Sequence, residues 1–489
     1  MAQEMDLEQK KQTRFNTNHF VFACAVFASL NSVLLGYGIM TDIGVMSGAI
    51  IFMQQDLKIS DVQVEILVGI LNIVSLVGSL AGGKASDSIG RKGTMAIGAF
   101  IFQFGVILMA IAPNFGILFI GRLVAGIGIG FAVLIVPIYI VEISPTTSRG
   151  ILTSFPEIFI NFGILLGYVS SYVFRGLPVN INWRIMLGIG IIPSVFIGFA
   201  LLVIPESPRW LAMNNRIEEA RLVLLKTSDN EMEIDERLTE IRKVAPNPNE
   251  SRLIWKELVN PNPGVKRMLI AGCGIQCFQQ ITGIDAIVYY SPTIFKTAGI
   301  TGTSQLLGTT MAVGFTKTFV IIVAIVLIDR IGRKPLLYVS TIGMTLCMLS
   351  LGIAFSVLHN SSIGMESVVV FVCGNVGFFS IGIGPICWVL STEIFPLRLR
   401  SQASAIGVVG NRVISGIVAM SFLSIARRIT MGGVFFLFAI ISGFSVLFVH
   451  NYVPETKGKS LEQIETLFQG PWRELEIEEQ RLVMTKSKY

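Results

Sequence analysis

Apolar runs of roughly 18 to 30 residues recur along the whole chain, broken only by short polar or charged connections. They lie at about 19–53, 62–88, 93–112, 115–142, 150–175, 184–204, 266–296, 304–328, 335–357, 366–394, 402–426 and 432–452. At 1.5 Å per residue each is long enough to cross about 30 Å of hydrocarbon as an α-helix. The pattern predicts an all-α membrane protein with twelve transmembrane helices in two six-helix halves. The organisation it implies is an N-terminal tail (1–18), an N-terminal bundle (19–204), a polar helical loop (205–265), a C-terminal bundle (266–452) and a C-terminal tail (453–489). The first apolar run is too long for a signal-peptide core, so no cleaved leader is expected at the front. Within the loop, IEEARLVLLKT and MEIDERLTEIRKV set apolar residues at helical spacing among charges. They predict short amphipathic helices at the membrane face.

Composition agrees with this reading. Of 489 residues 52% are hydrophobic and 14% charged, against about a quarter charged in a soluble protein. The net charge of +6 gathers at helix ends and speaks to orientation in the bilayer, not to nucleic acid. Arg91, Lys92, Arg149, Arg330, Arg333, Lys334, Arg398 and Arg400 fall in connections on one side, whereas the other side holds Lys58, Arg175 and Lys296. Arg427 and Arg428 count against the trend without reversing it. The positive-inside rule therefore makes the richer side cytosolic and places both termini and the central loop inside. Cys24, Cys273, Cys277, Cys347, Cys373 and Cys387 lie inside apolar runs and read as small buried hydrophobes. No metal cluster, nucleotide loop or nucleophile–base arrangement is found, so neither metal, cofactor nor enzymatic activity is expected. The glycine strings at 126–130 and 380–384 read as surfaces for close helix packing.

The halves repeat each other. DSIGRK (87–92) returns as DRIGRK (329–334), Glu142 with Arg149 returns as Glu393 with Arg400, and PESPRW (205–210) returns as PETKGK (454–459). All three offsets lie near roughly 245 residues, the mark of one internal duplication. Two similar halves suggest a carrier whose substrate sits between them at the midplane.

Two charges stand inside this apolar pattern. Asp42 lies in GYGIMTDIGVMSGAI (36–50) and Arg122 in FIGRLVAGIGIG (119–130). Each alone would cost about 2.5–3.5 kcal/mol at the centre of a membrane helix, so they are expected to pair. A static structural pair is the alternative to a proton-handling one.

The paired D-x-x-G-R-K loops, the E-x-x-x-x-x-x-R pairs, PESPRW, QQITGIDAIVYY (279–290) and PETKG together resemble the sugar porter branch of the major facilitator superfamily, over essentially the whole chain. Within that branch the chain is most similar to plant polyol and monosaccharide proton symporters. The resemblance implies coupling through an acid on the first helix facing an arginine on the fourth, here Asp42 and Arg122, with a proton as the co-transported ion and no other cofactor. It also implies a cytosolic gate made by Asp87, Arg91, Glu142 and Arg149 and their repeats Asp329, Arg333, Glu393 and Arg400. Simple anchoring and topology signalling is the alternative for these eight.

Position by position, the resemblance assigns Gln279, Gln280, Trp388 and Asn411 to substrate. Several positions depart from hexose carriers: Glu157, Asp285, Lys317 and Arg412 stand where neutral residues are usual, and Cys387 stands in place of a proline. Asp285 with Lys317 and Glu157 with Arg412 are the expected pairs, giving a more polar cavity for hydroxyl-dense polyols; fixed pairs outside the cavity are the alternative. Gly38-Ile39-Met40-Thr41 are four residues more than the family pattern carries before this aspartate. They lengthen a helix by about 6 Å and turn it about 40° beyond a full turn, so Asp42 keeps its facing if the extra turn is absorbed before it. The expected function is a proton-coupled symporter of linear polyols, cyclitols and monosaccharides, monomeric, in the plasma membrane. A facilitative uniporter is the first alternative and a sugar sensor the second.

Overall fold

A computed structural model describes residues 22, 24, 26, 44–144, 152, 155–227, 234–235, 238–239, 255–357, 361–396, 399–457, 464, 467 and 468, without the side chains of 192–197, 329, 362, 392 and 401. Asp42, the preceding four-residue insertion and Arg149 lie outside the described residues, as does the side chain of Asp329.

In chain order the helices are α1 (Gly44–Leu57), α2 (Asp61–Ala110), α3 (Phe115–Ile143), α4 (Phe155–Val173), α5 (Val179–Gly188), α6 (Ile191–Val203), α7 (Pro208–Met213) and α8 (Ile217–Thr227). They continue with α9 (Pro263–Ile281), α10 (Ile284–Tyr289), α11 (Ser291–Thr297), α12 (Thr303–Ile331), α13 (Arg333–Val357), α14 (Ser362–Ile381), α15 (Ile383–Glu393) and α16 (Arg400–Tyr452). Among the described residues seven helical stretches are long and apolar enough to cross a membrane. Two of these hold a pair of spans each. α2 has 50 residues, about 75 Å if straight, and turns at Gly90 (φ 88°, ψ 171°). α16 has 53 residues and turns at Thr430 (φ 70°, ψ 161°). These are the predicted pairs 62–88 with 93–112 and 402–426 with 432–452.

The sequence pattern also expects single helices where the chain breaks. The predicted span 266–296 is three helices, interrupted at Gly283 (φ 84°), where the chain turns left-handed against the Phe438 ring. The predicted span 366–394 divides at Gly382, between α14 and α15. Apolar periodicity cannot see either break, because the residues on both sides stay equally hydrophobic.

The described chain forms two compact units. The first takes in the described part of 1–245 with 288–296 and 300–318; the second takes in that of 246–287, 297–299 and 319–489. In the first unit the two longest helices start on polar side-chain caps. Ser60 and Gln63 form a reciprocal capping box at α2, and Asn114 Oδ1 accepts the Ile117 N–H at α3, 3.1 Å away. α2 and α3 pack backbone to backbone. A Cβ on Gly130 would run into Ser75 O and stand 2.6 Å from Ser79 N and 2.7 Å from Gly78 C. Ser79 Oγ donates to Gly130 O at 3.0 Å across the same contact. Because every atom in the way is main chain, Gly130→Ala is expected to destabilise by about 1–3 kcal/mol. The readout is a lowered melting temperature of detergent-solubilised protein, and an unchanged one would contradict this packing. α1 is fastened to α5 by Asp56, which accepts from Trp183 Nε1 and Arg184 Nη1, both at 2.9 Å.

In the charged loop IEEARLVLLKT forms the predicted helix α8, whereas most of MEIDERLTEIRKV lies outside the described residues. Leu211, Ala212, Ala220, Val223, Leu224, Ile234 and Leu238 form a small apolar core against which Trp210 packs. In the second unit polar side chains tie α13 to α16: Thr345 Oγ1 donates to Ser442 Oγ at 3.0 Å, and Ser442 Oγ donates to Thr341 O at 3.3 Å. Hydroxyl bonds of this kind hold helices together where the surroundings supply no hydrophobic drive.

Candidate functional site

Each unit contains one copy of the same charged turn. In the first, Gly90 interrupts α2 in a left-handed conformation, which leaves the amides of Arg91 and Lys92 free at the start of the next helical stretch. The Glu206 carboxylate takes both, from Arg91 N at 2.9 Å and Lys92 N at 3.2 Å, and also the Ser207 N–H at 2.8 Å. An anion at a helix N-terminus meets both unsatisfied N–H groups and the positive end of the dipole. Gly90 is required twice here, for its φ and because a Cβ would strike Glu206 Oε2. Arg91 then reaches back to Glu142 at the end of α3, donating from Nε and Nη2 at 2.9 Å each. Both side chains are buried, at 8% and 5% exposure. Ser207 Oγ donates to Glu142 Oε2 at 2.5 Å, and Trp210 Nε1 donates to Asp87 O at 3.0 Å, joining the loop helices to the turn. Asp87 itself is 79% exposed and stands 3.6 Å from Arg91, a solvated contact worth about 0–1 kcal/mol.

The second unit repeats the arrangement around Gly332 (φ 111°). Glu455 accepts from Arg333 N at 3.0 Å and Lys334 N at 2.9 Å, and a Cβ on Gly332 would stand 2.8 Å from Glu455 Oε2. Arg333 Nη2 donates to Glu393 Oε1 at 2.9 Å, while Thr456 Oγ1 donates to Glu393 Oε2 at 2.6 Å. The correspondence is residue for residue: Arg91 with Arg333, Glu142 with Glu393, Glu206 with Glu455, Ser207 with Thr456. The grip differs, since Arg91 holds its partner through two nitrogens of a planar fork, the stronger mode. Arg400 donates from Nε to Phe395 O at 3.2 Å.

The second unit also gathers most of the predicted substrate residues. Asn411 of α16 donates from Nδ2 to Gln279 Oε1 at 2.7 Å and to Gln276 O at 2.9 Å. Gln280 Nε2 donates to Asn411 Oδ1 at 3.4 Å, and Gln279 Nε2 to Gly384 O at 2.9 Å. Trp388, half-buried, lies one turn beyond Gly384 on α15. Asp285, just after the Gly283 break, accepts from Ser415 Oγ at 2.5 Å. Buried Gln280 Oε1 and Arg412 Nε have no hydrogen-bond partner among the described residues. Gln280 thus offers an open acceptor and Arg412 an open donor, the equipment for binding hydroxyl groups.

Three further predicted residues lie in the first unit. Arg122 is fully buried in α3 at 0% exposure. Glu157 opens α4, where Asn161 Nδ2 donates to its carbonyl at 2.8 Å. Lys317 is buried on α12, beside Thr318, whose Oγ1 donates to Asn161 O at 3.1 Å. Glu157 and Lys317 fall in the first unit, Asp285 and Arg412 in the second. Sequence reasoning missed Glu206, Glu455, Ser207, Thr456, Gln276 and Ser415 as site residues. The first four stood in the quoted repeat, PES against PET, and the shared offset was the signal that they act together.

A family model described as "Sugar (and other) transporter" matches residues 24–468. Probable polyol transporter 4 of Arabidopsis thaliana is 62% identical over 472 residues, covering 96% of this chain and 89% of its own length. Polyol transporter 5 of the same plant is 48% identical over 477 residues, covering 94% and 88%. Among solved structures, the proton:xylose symporter XylE, bound to 6-bromo-6-deoxy-D-glucose, superposes with a TM-score of 0.77 at 28% identity, over 92% of this chain and 100% of that one. The fold is the twelve-helix arrangement of the major facilitator superfamily, and the matched relatives are transporters, not enzymes. With that family match running from Cys24 to Phe468, this chain belongs to the sugar transporter family of multi-pass membrane proteins.

Proposed function

We propose that the protein is a proton-coupled symporter of linear polyols, cyclitols and monosaccharides that works by alternating access. The observation that carries this reading is Arg122, a cation with no exposed surface inside an apolar helix. A fixed guanidinium at membrane depth is retained where it faces an anion, a substrate path or water. Asp42 is the acid that sequence assigns to it. Ionised, Asp42 is held by Arg122. Protonation removes the attraction and frees the N-terminal bundle (19–204) to rock against the C-terminal one (266–452) with substrate enclosed. The similarity to plant polyol transporters supports the substrate class, and the similarity to a proton:xylose symporter supports the coupling.

In this reading Gln279, Gln280, Trp388 and Asn411 bind substrate, with Glu157, Asp285, Lys317 and Arg412 making the cavity more polar. The two charged turns act as latches on the cytosolic side. The protein works as a monomer in the plasma membrane with both termini in the cytosol, and the proton is its only co-substrate. The test is expression in a heterologous cell with a panel of labelled polyols and hexoses at two external pH values. Inward substrate-evoked current and accumulation that grow with acidity and collapse under a protonophore are expected. Uptake that only equilibrates, indifferent to the protonophore, overturns coupling in favour of a uniporter.

A further inference from the structure

Asp285 is a carboxylate at the end of a helix break, and the structure gives one of its oxygens a single dedicated partner. Ser415 Oγ stands 2.5 Å from Asp285 Oδ2. Ser415 is fully buried, so its hydroxyl is not shared with solvent. Asp285 Oδ1 takes no donor among the described residues, and neither does the buried Nε of Arg412 have an acceptor. Arg412 and Ser415 are three residues apart on α16, a spacing that places them side by side on one helix face. Asn411, one turn before Ser415 on the same helix, is bonded into the glutamine cluster.

The chemistry of a carboxylate makes the hydroxyl matter. The last torsion of an aspartate is broad and roughly two-fold, so an untethered Asp285 would present either oxygen, in many orientations. A hydroxyl bonded to Oδ2 selects one of them and leaves Oδ1 as the open acceptor. That oxygen accepts a substrate O–H in a charge-assisted bond, stronger than the neutral bond an asparagine would make. The open Arg412 Nε–H offers a donor on the same helix face as Ser415. An acceptor and a donor of this kind suit two neighbouring hydroxyls, one giving its hydrogen to Asp285 and the next accepting from Arg412.

We infer that Ser415 is a positioning residue for substrate recognition, acting through Asp285 to fix the acceptor that reads one hydroxyl of a vicinal diol. This rests on the transport reading above. The experiment measures uptake of radiolabelled sorbitol at varied concentration in cells carrying wild type, Ser415→Ala, Asp285→Asn and the double variant, normalised to surface-biotinylated protein. Ser415→Ala is expected to raise KM roughly fivefold with maximal velocity within about twofold, the scale of one lost hydrogen bond. In the Asp285→Asn background the same change is expected to leave KM unmoved, because the group it positions is gone. If Ser415→Ala does not reach the surface, Ser415→Cys, which keeps the volume with only a weak donor, takes its place with the same expectation. An unchanged KM in the single variant, or a KM rise that persists in the Asp285→Asn background, overturns the assignment of Ser415 alone. A wild-type protein that moves no polyol or monosaccharide overturns the transport reading and this inference together.

Discussion

Replacing Asp42 by Asn is expected to abolish accumulation against a gradient while leaving exchange of substrate across the membrane. The size of the effect follows from the driving force. A potential of 100 mV supplies about 2.3 kcal/mol per charge, and one pH unit adds about 1.4 kcal/mol. Together they sustain an accumulation of several hundred-fold, since each 1.4 kcal/mol is a factor of ten. An asparagine cannot take up the proton, so this ratio should fall to about one. The measurement is the steady-state ratio of internal to external labelled polyol at two external pH values, with counterflow as the control for intact binding. Persistent pH-dependent accumulation in Asp42→Asn would remove Asp42 from the mechanism. Arg122→Gln should fail differently, by leaving an anion in hydrocarbon without its cation, at about 2.5–3.5 kcal/mol on insertion scales.

The second large effect belongs to the latch of the first unit. Arg91→Ala takes two charge-assisted bonds from Glu142, whose side chain is 5% exposed, and leaves it with the Ser207 hydroxyl. Removing one partner of a buried ion pair typically costs about 3–5 kcal/mol. If the intact turn belongs to the cytosol-closed state, that state loses its bias and the population shifts toward cytosol-open by a hundredfold or more on the same scale. Cysteines introduced along the cytosolic half of the cavity should then react faster with a membrane-impermeant maleimide in inside-out vesicles. Arg333→Ala should have the smaller effect, because Arg333 holds Glu393 through one nitrogen and Glu393 is 22% exposed. Equal labelling in both variants and wild type would show that the turns anchor the helices without gating them.

How far the sequence led can be judged from particular residues. Run lengths and the duplicated loops were enough for the membrane class, the two-fold repeat and the family, because hydrophobic thickness and internal homology are written in linear order. The breaks at Gly283 and Gly382 were not legible, since glycine is common in membrane helices and hydrophobicity does not change across them. Arg91 and Glu142 were picked out, but the cap that Glu206 supplies was not. A glutamate in a short polar loop reads as solvated, and its partners are main-chain amides more than a hundred positions earlier, which carry no side-chain signature. Ser415 was silent for a related reason: a serine in an apolar run is usually bonded to its own helix, and only the fold brings Asp285 to it.

The depth at which Arg91 meets Glu142 has a bearing on salt dependence. Exposed ion pairs such as Arg216 with Glu219, about half exposed on both sides, weaken as electrolyte rises, because the Debye length is only about 8 Å at 0.15 M. A pair shielded as fully as Arg91 and Glu142, backed by a carboxylate seated on main-chain amides, is largely out of reach of mobile ions. The hold of this turn should therefore stay constant as electrolyte rises over a range that loosens Arg216 from Glu219.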